Sequence, residues 1–211
     1  MAKYSDIKGF TVQTVSSAPA ASGLAGGSWA SGGTANTARR WAAQGSVGTQ
    51  TATLIIGGGP PTTDAVELYN GSSWTEISEL NEANSSQMGI GTSTSALSVG
   101  AYTNNESWNG SSWTEINNLN TARTNINAAG TASRGLGFAG NVSPQQQTED
   151  WNGAVWTETS DLNEGRTNNY AGGAGSITSA LCSGGQTSTT GTSQSTEEWS
   201  GSSTTFKVLT D

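Results

Sequence analysis

The segment "WNGSSWTEINNLNTAR", residues 108–123, decides the fold of this chain because the chain repeats it with small changes. "YNGSSWTEISELNEAN" occupies residues 69–84, and "WNGAVWTETSDLNEGR" occupies residues 151–166. A chain with only 32% hydrophobic residues therefore places a large aromatic side chain at one fixed position of each copy. Such internal repetition has to be explained before any single residue is assigned a role.

The anchor of the repeat is a tryptophan with a glutamate seven residues before it and an asparagine or arginine ten residues after it. The complete sets are Glu67, Trp74 and Asn84; Glu106, Trp113 and Arg123; and Glu149, Trp156 and Arg166. The second half of the frame also occurs at Trp29 and Arg39, and a last copy places Phe206 at the tryptophan position with a two-residue insertion. Successive anchors are 45, 39, 43 and 50 residues apart, a period typical of propellers, solenoids and arrays.

Each unit contains four short segments that are rich in β-branched and aromatic residues. In the third unit they are "NINAAGT", "RGLGFAG", "TEDWN" and "VWTET", a pattern that predicts four strands. Asn-Gly pairs begin at residues 70, 109 and 152, between the third and fourth segments, and suit tight hairpins with positive φ. The units therefore predict an all-β fold, a β-propeller of four blades with five as the alternative. The surplus segment "GSWAS" is expected to close the last blade or to dock outside the ring.

The repeated tryptophans are explained by the stacking of blades. One four-stranded blade cannot bury both of its faces, so we expect Trp74, Trp113 and Trp156 to fill the seams between blades. Burying about 200 Å² of aromatic surface is worth several kcal/mol at roughly 25 cal/mol per Å². Trp108, whose place is taken by Tyr69 in the first unit, is expected to be less buried than Trp113. Apolar runs end in glycine at four places, which are Gly57, Gly100, Gly140 and Gly184. We expect these glycines to fit a crowded central channel.

The order of these features resembles the kelch repeat: a double glycine after an apolar strand, an acidic residue near an aromatic one, then a tryptophan. The residues that carry the resemblance are Gly57, Gly58, Glu67, Tyr69 and Trp74, and in the last copy Gly184, Gly185, Glu197 and Trp199. Gly100 and Gly140 are single, and the units are shorter than the roughly 50 residues of kelch repeats. The resemblance covers about residues 29–211 and implies a kelch-like propeller, a fold that hosts many unrelated functions.

A second resemblance rests on the opening "YSDIKGFTVQTVSSAP", on "GGSWASGGTANTARR" and on the Asn-rich units. Together they look like structural proteins of bacteriophages, particularly those of marine bacteria. That resemblance implies a place on the virion, in the tail, a fibre or the head decoration. Residues 1–28 hold one predicted strand, "GFTVQTV", followed by loop-like sequence. We therefore expect an N-terminal arm at residues 1–28 that attaches the protein or contacts another subunit, and a propeller at residues 29–211.

Composition excludes several classes of function. The net charge is −8 with only eight basic residues, so a nucleic-acid groove is not expected. Lys3, Asp6 and Lys8 interrupt the N-terminal segment where a signal peptide needs an apolar core, and no apolar run reaches the 18 residues of a membrane span. We therefore expect neither Sec secretion nor membrane insertion. Cys182 is the only cysteine, so no internal disulfide can form, and its apolar surroundings favour a buried structural thiol.

Catalysis is not expected either. The chain has no histidine, which removes the commonest general base and metal ligand, and with it the copper chemistry of galactose oxidase. Four glutamates occur at equivalent places of successive units, so repetition explains them better than catalysis does; they are Glu67, Glu106, Glu149 and Glu197. "GGGPP" at residues 57–61 lacks the Lys-Ser/Thr of a phosphate loop. We expect no catalytic, cofactor-binding or metal-binding residue and no cofactor.

Binding is expected in the loops that differ most between units. They follow the second strand and read "GPPTTDA", "AYTNN", "NVSPQQQ" and "GQTSTTGTSQS". Amide-rich loops beside aromatics such as Tyr102 could bind sugar hydroxyls, or they are solvated or contact a neighbouring subunit. Arg39, Arg123 and Arg166 recur at one place, which favours carbonyl capping between blades over ligand binding.

The function predicted from these observations is that of a non-enzymatic virion protein, a propeller that decorates or adapts a phage particle assembled in the host cytoplasm. Its expected partners are other virion proteins and further copies of itself. The alternative is a carbohydrate-binding module that recognises host surface glycans through the loop face.

Overall fold

The computed structural model of the chain describes residues 28–43, 47–100, 105–187 and 191–201, with the backbone alone for residues 167–174. The chain divides into two compact units, Met1–Gly32 and Gly33–Asp211. The described residues of the first unit, 28–32, form no strand. The strand expected in "GSWAS" is therefore wrong for residues 28–31, because this Gly/Ser-rich segment forms no ladder with a described strand. The arm predicted for residues 1–28, apart from its last residue, lies outside the described residues, as do Tyr102 and Phe206.

The second unit is built from short antiparallel strands, and its described part contains no helix. In chain order the strands are β1 (Gly48–Thr49), β2 (Ala52–Ile56), β3 (Val66–Tyr69), β4 (Trp74–Glu76), β5 (Met88–Thr92), β6 (Ser95–Val99), β7 (Asn105–Trp108), β8 (Trp113–Ile116), β9 (Asn127–Thr131), β10 (Arg134–Phe138), β11 (Thr148–Trp151), β12 (Trp156–Glu158), β13 (Thr167–Ser176), β14 (Ser179–Thr187), β15 (Gly191–Thr192) and β16 (Thr196–Ser200).

These strands form four sheets, which we number in chain order. The first three are simple meanders of four strands each, β1 to β4, β5 to β8 and β9 to β12. In the fourth sheet β14 pairs with β13, β15 and β16. First strands of neighbouring sheets meet, since β9 contacts both β5 and β13. The described residues thus form an all-β, four-bladed propeller-like fold, as predicted.

The Asn-Gly pairs form the predicted hairpins between the third and fourth strands. In the second sheet the Asn109 side-chain oxygen accepts hydrogen bonds from the N–H groups of Ser111 and Ser112, at 2.9 and 3.0 Å. Gly110 follows with a φ of 96°. The same arrangement recurs at Asn70 and Asn152, so this local sequence specifies one turn in three sheets.

A second glycine position was not recognised in the sequence. Gly91, near the end of β5, has a φ of 119°, and a Cβ atom there would lie 2.2 Å from the carbonyl oxygen of Ser95 on β6. The hairpin between the first two strands of a sheet therefore closes only around a glycine. Equivalent glycines stand in the other sheets, at Gly48, Gly130 and Gly175.

Buried side chains lie in the seams between successive sheets. The first cluster joins Leu54, Ile56 and Val66 of the first sheet to Trp108 and Trp113 of the second. A second cluster joins the second and third sheets through Met88, Ile90, Leu97 and Val99 with Trp151 and Trp156. A third cluster joins the third and fourth sheets through Leu136 and Phe138 with Ala180 and Cys182. The seam role predicted for Trp113 and Trp156 is confirmed, and Cys182 is buried as expected.

Two of the aromatic predictions need correction. Trp108 is not less buried than Trp113, because it is 4% exposed against 6% and its indole N–H donates to the Ser93 carbonyl at 3.0 Å. Trp74 is only half-buried and belongs to none of the three clusters. It packs on Tyr69 with ring centroids 4.9 Å apart. In the first sheet Tyr69 stands at the position equivalent to Trp108. A tyrosine is accepted there because that position is only half-buried.

The difference between these tryptophans gives a test of the seam. We expect Trp113→Ala to lower the free energy of unfolding by about 3–5 kcal/mol, the range for a large aromatic side chain removed from a core. Trp74→Ala, at the equivalent but half-buried position, should cost clearly less. Urea unfolding of both variants, followed by circular dichroism, measures the two costs. Equal costs would contradict the assignment of Trp113 to a seam.

Candidate functional site

Each sheet is held by the linker that leads into it, and the central contact is a buried glutamate. Glu149 on β11 is fully buried and accepts hydrogen bonds from Asn120 of the preceding linker, 2.7 Å from the backbone N–H and 2.8 Å from the side-chain amide. The same amide donates to the Trp156 carbonyl at 3.0 Å, so Asn120 bridges two strands. Equivalent asparagines bind the other repeated glutamates: Asn36 binds Glu67, Asn81 binds Glu106 and Asn163 binds Glu197. We call this linker asparagine with its glutamate the Asn–Glu clamp.

Sequence reasoning missed the asparagines, although a signal for them exists. Each lies seven residues after a tryptophan anchor, at Asn36, Asn81, Asn120 and Asn163. The position is invariant through the repeat, but an exposed asparagine in a polar linker resembles ordinary turn sequence. The structural role expected for the four repeated glutamates is confirmed.

The repeated arginines complete three of the clamps. Arg123 is completely buried, and its guanidinium lies 2.6 Å from Glu149 while also donating to the carbonyls of Ala139 and Gly137 at 2.9 and 3.2 Å. Arg166 likewise bonds Glu197 at 2.9 Å and caps the carbonyl of Gly184. Arg39 forms an ion pair with Glu67 and donates hydrogen bonds to the carbonyls of Gly57 and Ala65. The predicted carbonyl capping is confirmed, but the capped carbonyls belong to the sheet that each linker leads into and do not join two blades. The ion pair is an addition to the prediction.

The clamp of the second sheet differs because Asn84 stands where the others have arginine. Glu106 is nevertheless only 2% exposed. Its hydrogen-bond partners among the described residues are the two amide groups of Asn81 and the backbone N–H of Glu82. Backbone and side-chain amides therefore satisfy this buried carboxylate without an arginine in the described part of the chain.

The glycines that end the apolar runs make room for the clamp. Gly140 has a φ of 123°, and a Cβ atom on it would lie 3.0 Å from the Arg123 side chain and 3.1 Å from the Thr124 carbonyl. Gly58 would meet the Arg40 carbonyl of the linker into the first sheet at 2.9 Å, whereas Gly57 would meet the Asn84 carbonyl of the next linker at 2.5 Å. These glycines thus allow a linker to approach the end of the second strand. The crowded central channel expected from the sequence stays a prediction.

The clamp also fixes the ionisation of two glutamates. Burial raises the pKa of Glu67, but hydrogen bonds from the Asn36 and Thr37 N–H groups and from Arg39 outweigh it, so that the pKa lies below its ordinary value. Glu197 behaves alike: burial raises its pKa, and the Asn163, Arg166 and Glu164 donors bring it below the ordinary value. Both carboxylates are thus held in the charged form by the folded chain.

One exposed aromatic residue stands out beside the linkers. Trp41 is 48% exposed, and the Arg40 guanidinium lies 4.1 Å from its ring centroid. Arg40 and Gly59 exchange two backbone hydrogen bonds of 2.8 Å, which places the pair next to the "GGGPP" loop. Trp41 has a φ of 57°, and its carbonyl accepts the Ser86 N–H at 2.8 Å. This backbone bond joins the linkers of the first two sheets, and the next bond in the series, from Asn125 N–H to the Ser86 carbonyl, is 3.0 Å long. We call Arg40, Trp41 and Gly58–Pro61 the Trp41 surface.

The variable loops are described only in part. Most of "AYTNN" and residues 188–190 lie outside the described residues. The loop "NVSPQQQ" contacts the linker to the fourth sheet, since the carbonyls of Gln146 and Gln145 accept the N–H groups of Leu162 and Arg166 at 2.9 and 3.0 Å. Part of this loop therefore stabilises the fold.

A cleft of about 360 Å³ opens at the outer side of the seam between the third and fourth sheets. Leu136, Phe138, Cys182 and Trp199 line it, together with Glu197 and Glu198 of β16. In the described residues no three His, Cys, Asp or Glu side chains come together to hold a metal ion. Nor do they include a helix with the length and apolar character needed to cross a membrane.

The clamp predicts the effect of removing its arginine. Arg123→Met should lower the free energy of unfolding by about 3–5 kcal/mol, because it leaves the buried carboxylate of Glu149 without its cation. The double variant Arg123→Met/Glu149→Gln should cost less than the sum of the two single changes. Asn84→Ala, which removes no ion pair, is the matched control in urea unfolding. If Arg123→Met lowers the free energy of unfolding no more than the control does, the stabilising role of Arg123 at the clamp would be refuted.

The lowered pKa values of Glu67 and Glu197 predict acid sensitivity. A carboxyl whose pKa is lower in the folded chain stabilises it above the unfolded pKa, and this stability is lost as the pH falls through the folded pKa. The free energy of unfolding should therefore decline as the pH drops below about 4.5, the ordinary glutamate value. Glu67→Gln should be less stable than the parent at neutral pH, and the gap should narrow at about pH 3. A constant gap across this range would contradict the assignment.

Comparison with known proteins gives no family for this chain. No protein-family model matches it, and no curated protein matches it significantly.

Proposed function

We propose that this protein is a non-enzymatic structural component of a bacteriophage particle, with kelch-like blades displayed in the tail, a fibre or the head decoration. The observation that carries the proposal is the use of the repeated charged groups. Arg123 and Glu149 are completely buried, and each has hydrogen-bond partners within its own sheet or linker. The repeated glutamates and arginines, which are residue types that could do acid–base chemistry, thus stabilise the blades instead.

The remaining support comes from the surface and the sequence. Hairpin turns present hydroxyl and amide groups, as in the pairs Thr92–Thr94 and Thr131–Ser133 with oxygens 3.2 Å apart. Such a polar, hydrogen-bonding coat suits contacts with neighbouring copies or other particle proteins. The opening segment and the Asn-rich repeats resemble phage structural proteins, which points to a virion rather than a free protein.

Cryo-electron microscopy of the source particle tests this proposal. The propeller should occupy repeated, symmetric density on the particle surface, next to other virion proteins. A particle without this chain, checked by mass spectrometry of purified virions, would reject the proposal.

A second candidate function is recognition of host glycans through the loop face. The Trp41 surface favours it, because an exposed indole beside a guanidinium and backbone amides can stack on a sugar ring and bind its hydroxyls. Trp41 is 48% exposed and belongs to none of the three seam clusters, so replacing it should leave the fold intact.

A glycan array separates the two functions. If the protein reads glycans, the parent binds a defined set, Trp41→Ala loses about tenfold or more in affinity, and Trp41→Phe retains most of it. Thermal melts equal to the parent confirm that both variants are folded. An array without any bound glycan would leave the particle role and reject the glycan role.

A further inference from the structure

Arg40 and Trp41 depart from the repeat at the two positions that follow the clamp arginine or its substitute. In the other three units these positions hold small polar residues, which are Ser85 and Ser86, Thr124 and Asn125, and Thr167 and Asn168. The first unit has a cation and an indole there instead. The repeat therefore gives no reason for either side chain.

The backbone at the second of these positions is unfavourable for a tryptophan. Trp41, Ser86 and Asn125 have φ values of 57°, 62° and 56°, so the fold places this position in the left-handed region. Asparagine tolerates that region, whereas bulky side chains rarely adopt it. Trp41 is also 48% exposed and belongs to none of the three seam clusters. A tryptophan at this strained position contributes no buried area to a seam, which indicates a role in binding.

The backbone beneath the two side chains is held from two directions. Arg40 and Gly59 exchange backbone hydrogen bonds of 2.8 Å, and the Ser86 N–H donates to the Trp41 carbonyl at 2.8 Å. Gly58 has a φ of 113°, and a Cβ atom on it would lie 2.9 Å from the Arg40 carbonyl, so the loop approaches the linker only with glycine there. The guanidinium and the indole therefore project from a fixed backbone, which lowers the entropic cost of binding a ligand.

The charge of the Trp41 surface determines the chemistry of its ligand. Arg40 is exposed, and its guanidinium stacks 4.1 Å from the Trp41 ring centroid. The other arginines of the described chain pair with carboxylates, three of them in the clamps and Arg134 with Asp150 at 3.2 Å. A guanidinium stacked on an aromatic ring directs its N–H donors outward in its own plane, where they match two oxygens of an anionic group. A neutral sugar on the indole would use only part of this surface.

We propose that the Trp41 surface binds an acidic sugar, a pyranose that carries a carboxylate or a sulfate group. The apolar face of the pyranose packs on the indole, and the anionic oxygens accept hydrogen bonds from the Arg40 guanidinium. This inference rests on the second candidate function and names its ligand class. The net charge of −8 disfavours extended polyanions, so the surface selects a single acidic group beside the stacked ring.

A glycan array with matched pairs tests this inference. Each acidic glycan, which contains a uronic acid, a sialic acid or a sulfated sugar, is printed beside its carboxyl-reduced or desulfated form. The parent protein should bind at least one acidic glycan about tenfold or more tightly than the neutral partner. Carboxylated and sulfated pairs are scored separately, which identifies the anionic group.

Substitution of the arginine tests the assigned contact. Arg40→Gln should lose about tenfold or more in affinity for the acidic glycan and leave the weaker affinity for the neutral partner unchanged. Arg40→Lys keeps the charge but not the planar fork, so it should retain part of the preference. The matched control is Arg134→Gln, which removes an exposed arginine that pairs with Asp150 and should bind like the parent. Thermal melts show whether each variant is folded.

Three outcomes would overturn the inference. Equal binding of acidic and neutral partners would leave glycan recognition in place and reject the acidic ligand. Equal losses for Arg40→Gln and Arg134→Gln would show an effect of net charge rather than of the Trp41 surface. An array without any bound glycan would reject both the glycan function and this inference.

Discussion

The fold depends on a carboxylate buried under a linker. A glutamate would ordinarily be solvated, and burying it alone would be costly. Here Asn120 meets Glu149 with a backbone and a side-chain N–H, and Arg123 adds a cation and ties the same linker to the carbonyls of the second strand. The hydrogen bonds and the ion pair of this clamp offset the cost of desolvation, so the contact fixes the position of the linker.

The other features of the blade follow from this arrangement. Because the linker lies over the end of the second strand, that strand must end in a glycine such as Gly140, which has no side chain to obstruct Arg123. Once the linker is fixed, the next sheet stands at a set angle and distance, and the indoles of Trp113 and Trp156 fill the seam that remains. The polar clamp thus holds the linker on its sheet, and the apolar seam joins that sheet to the neighbouring one. A chain with few apolar residues can stack sheets because the clamp supplies orientation while the tryptophans supply buried area.

Most of the fold was predictable because the same short sequence patterns, which specify strands and turns, recur in each unit. The four segments proposed for the third unit correspond to β9 through β12, and the Asn-Gly turns lie where they were predicted. The repeat could not tell which side of a hairpin is more enclosed, since that depends on the neighbouring sheet, and so Trp108 was placed too near the surface. Of the clamp, the sequence indicated a structural glutamate and a capping arginine, but not that they pair. Asn120 escaped notice because its role depends on residues about thirty positions away. The Trp41 surface was missed because Trp41 lies outside the repeated positions.

The position of the clamp along the chain defines a segment that can be duplicated or deleted as a whole. The linker Asn120 and the glutamate and tryptophan carbonyl that it binds all lie within residues 120–156, and the preceding clamp lies within residues 81–113. A DNA segment that runs from one linker asparagine to the next fourth-strand tryptophan therefore encodes a sheet together with the clamp that holds it. Duplicating or deleting such a segment changes the number of sheets without separating a glutamate from its asparagine. Sequence divergence is then tolerated wherever the clamp is kept, as the replacement of arginine by Asn84 in the second unit illustrates.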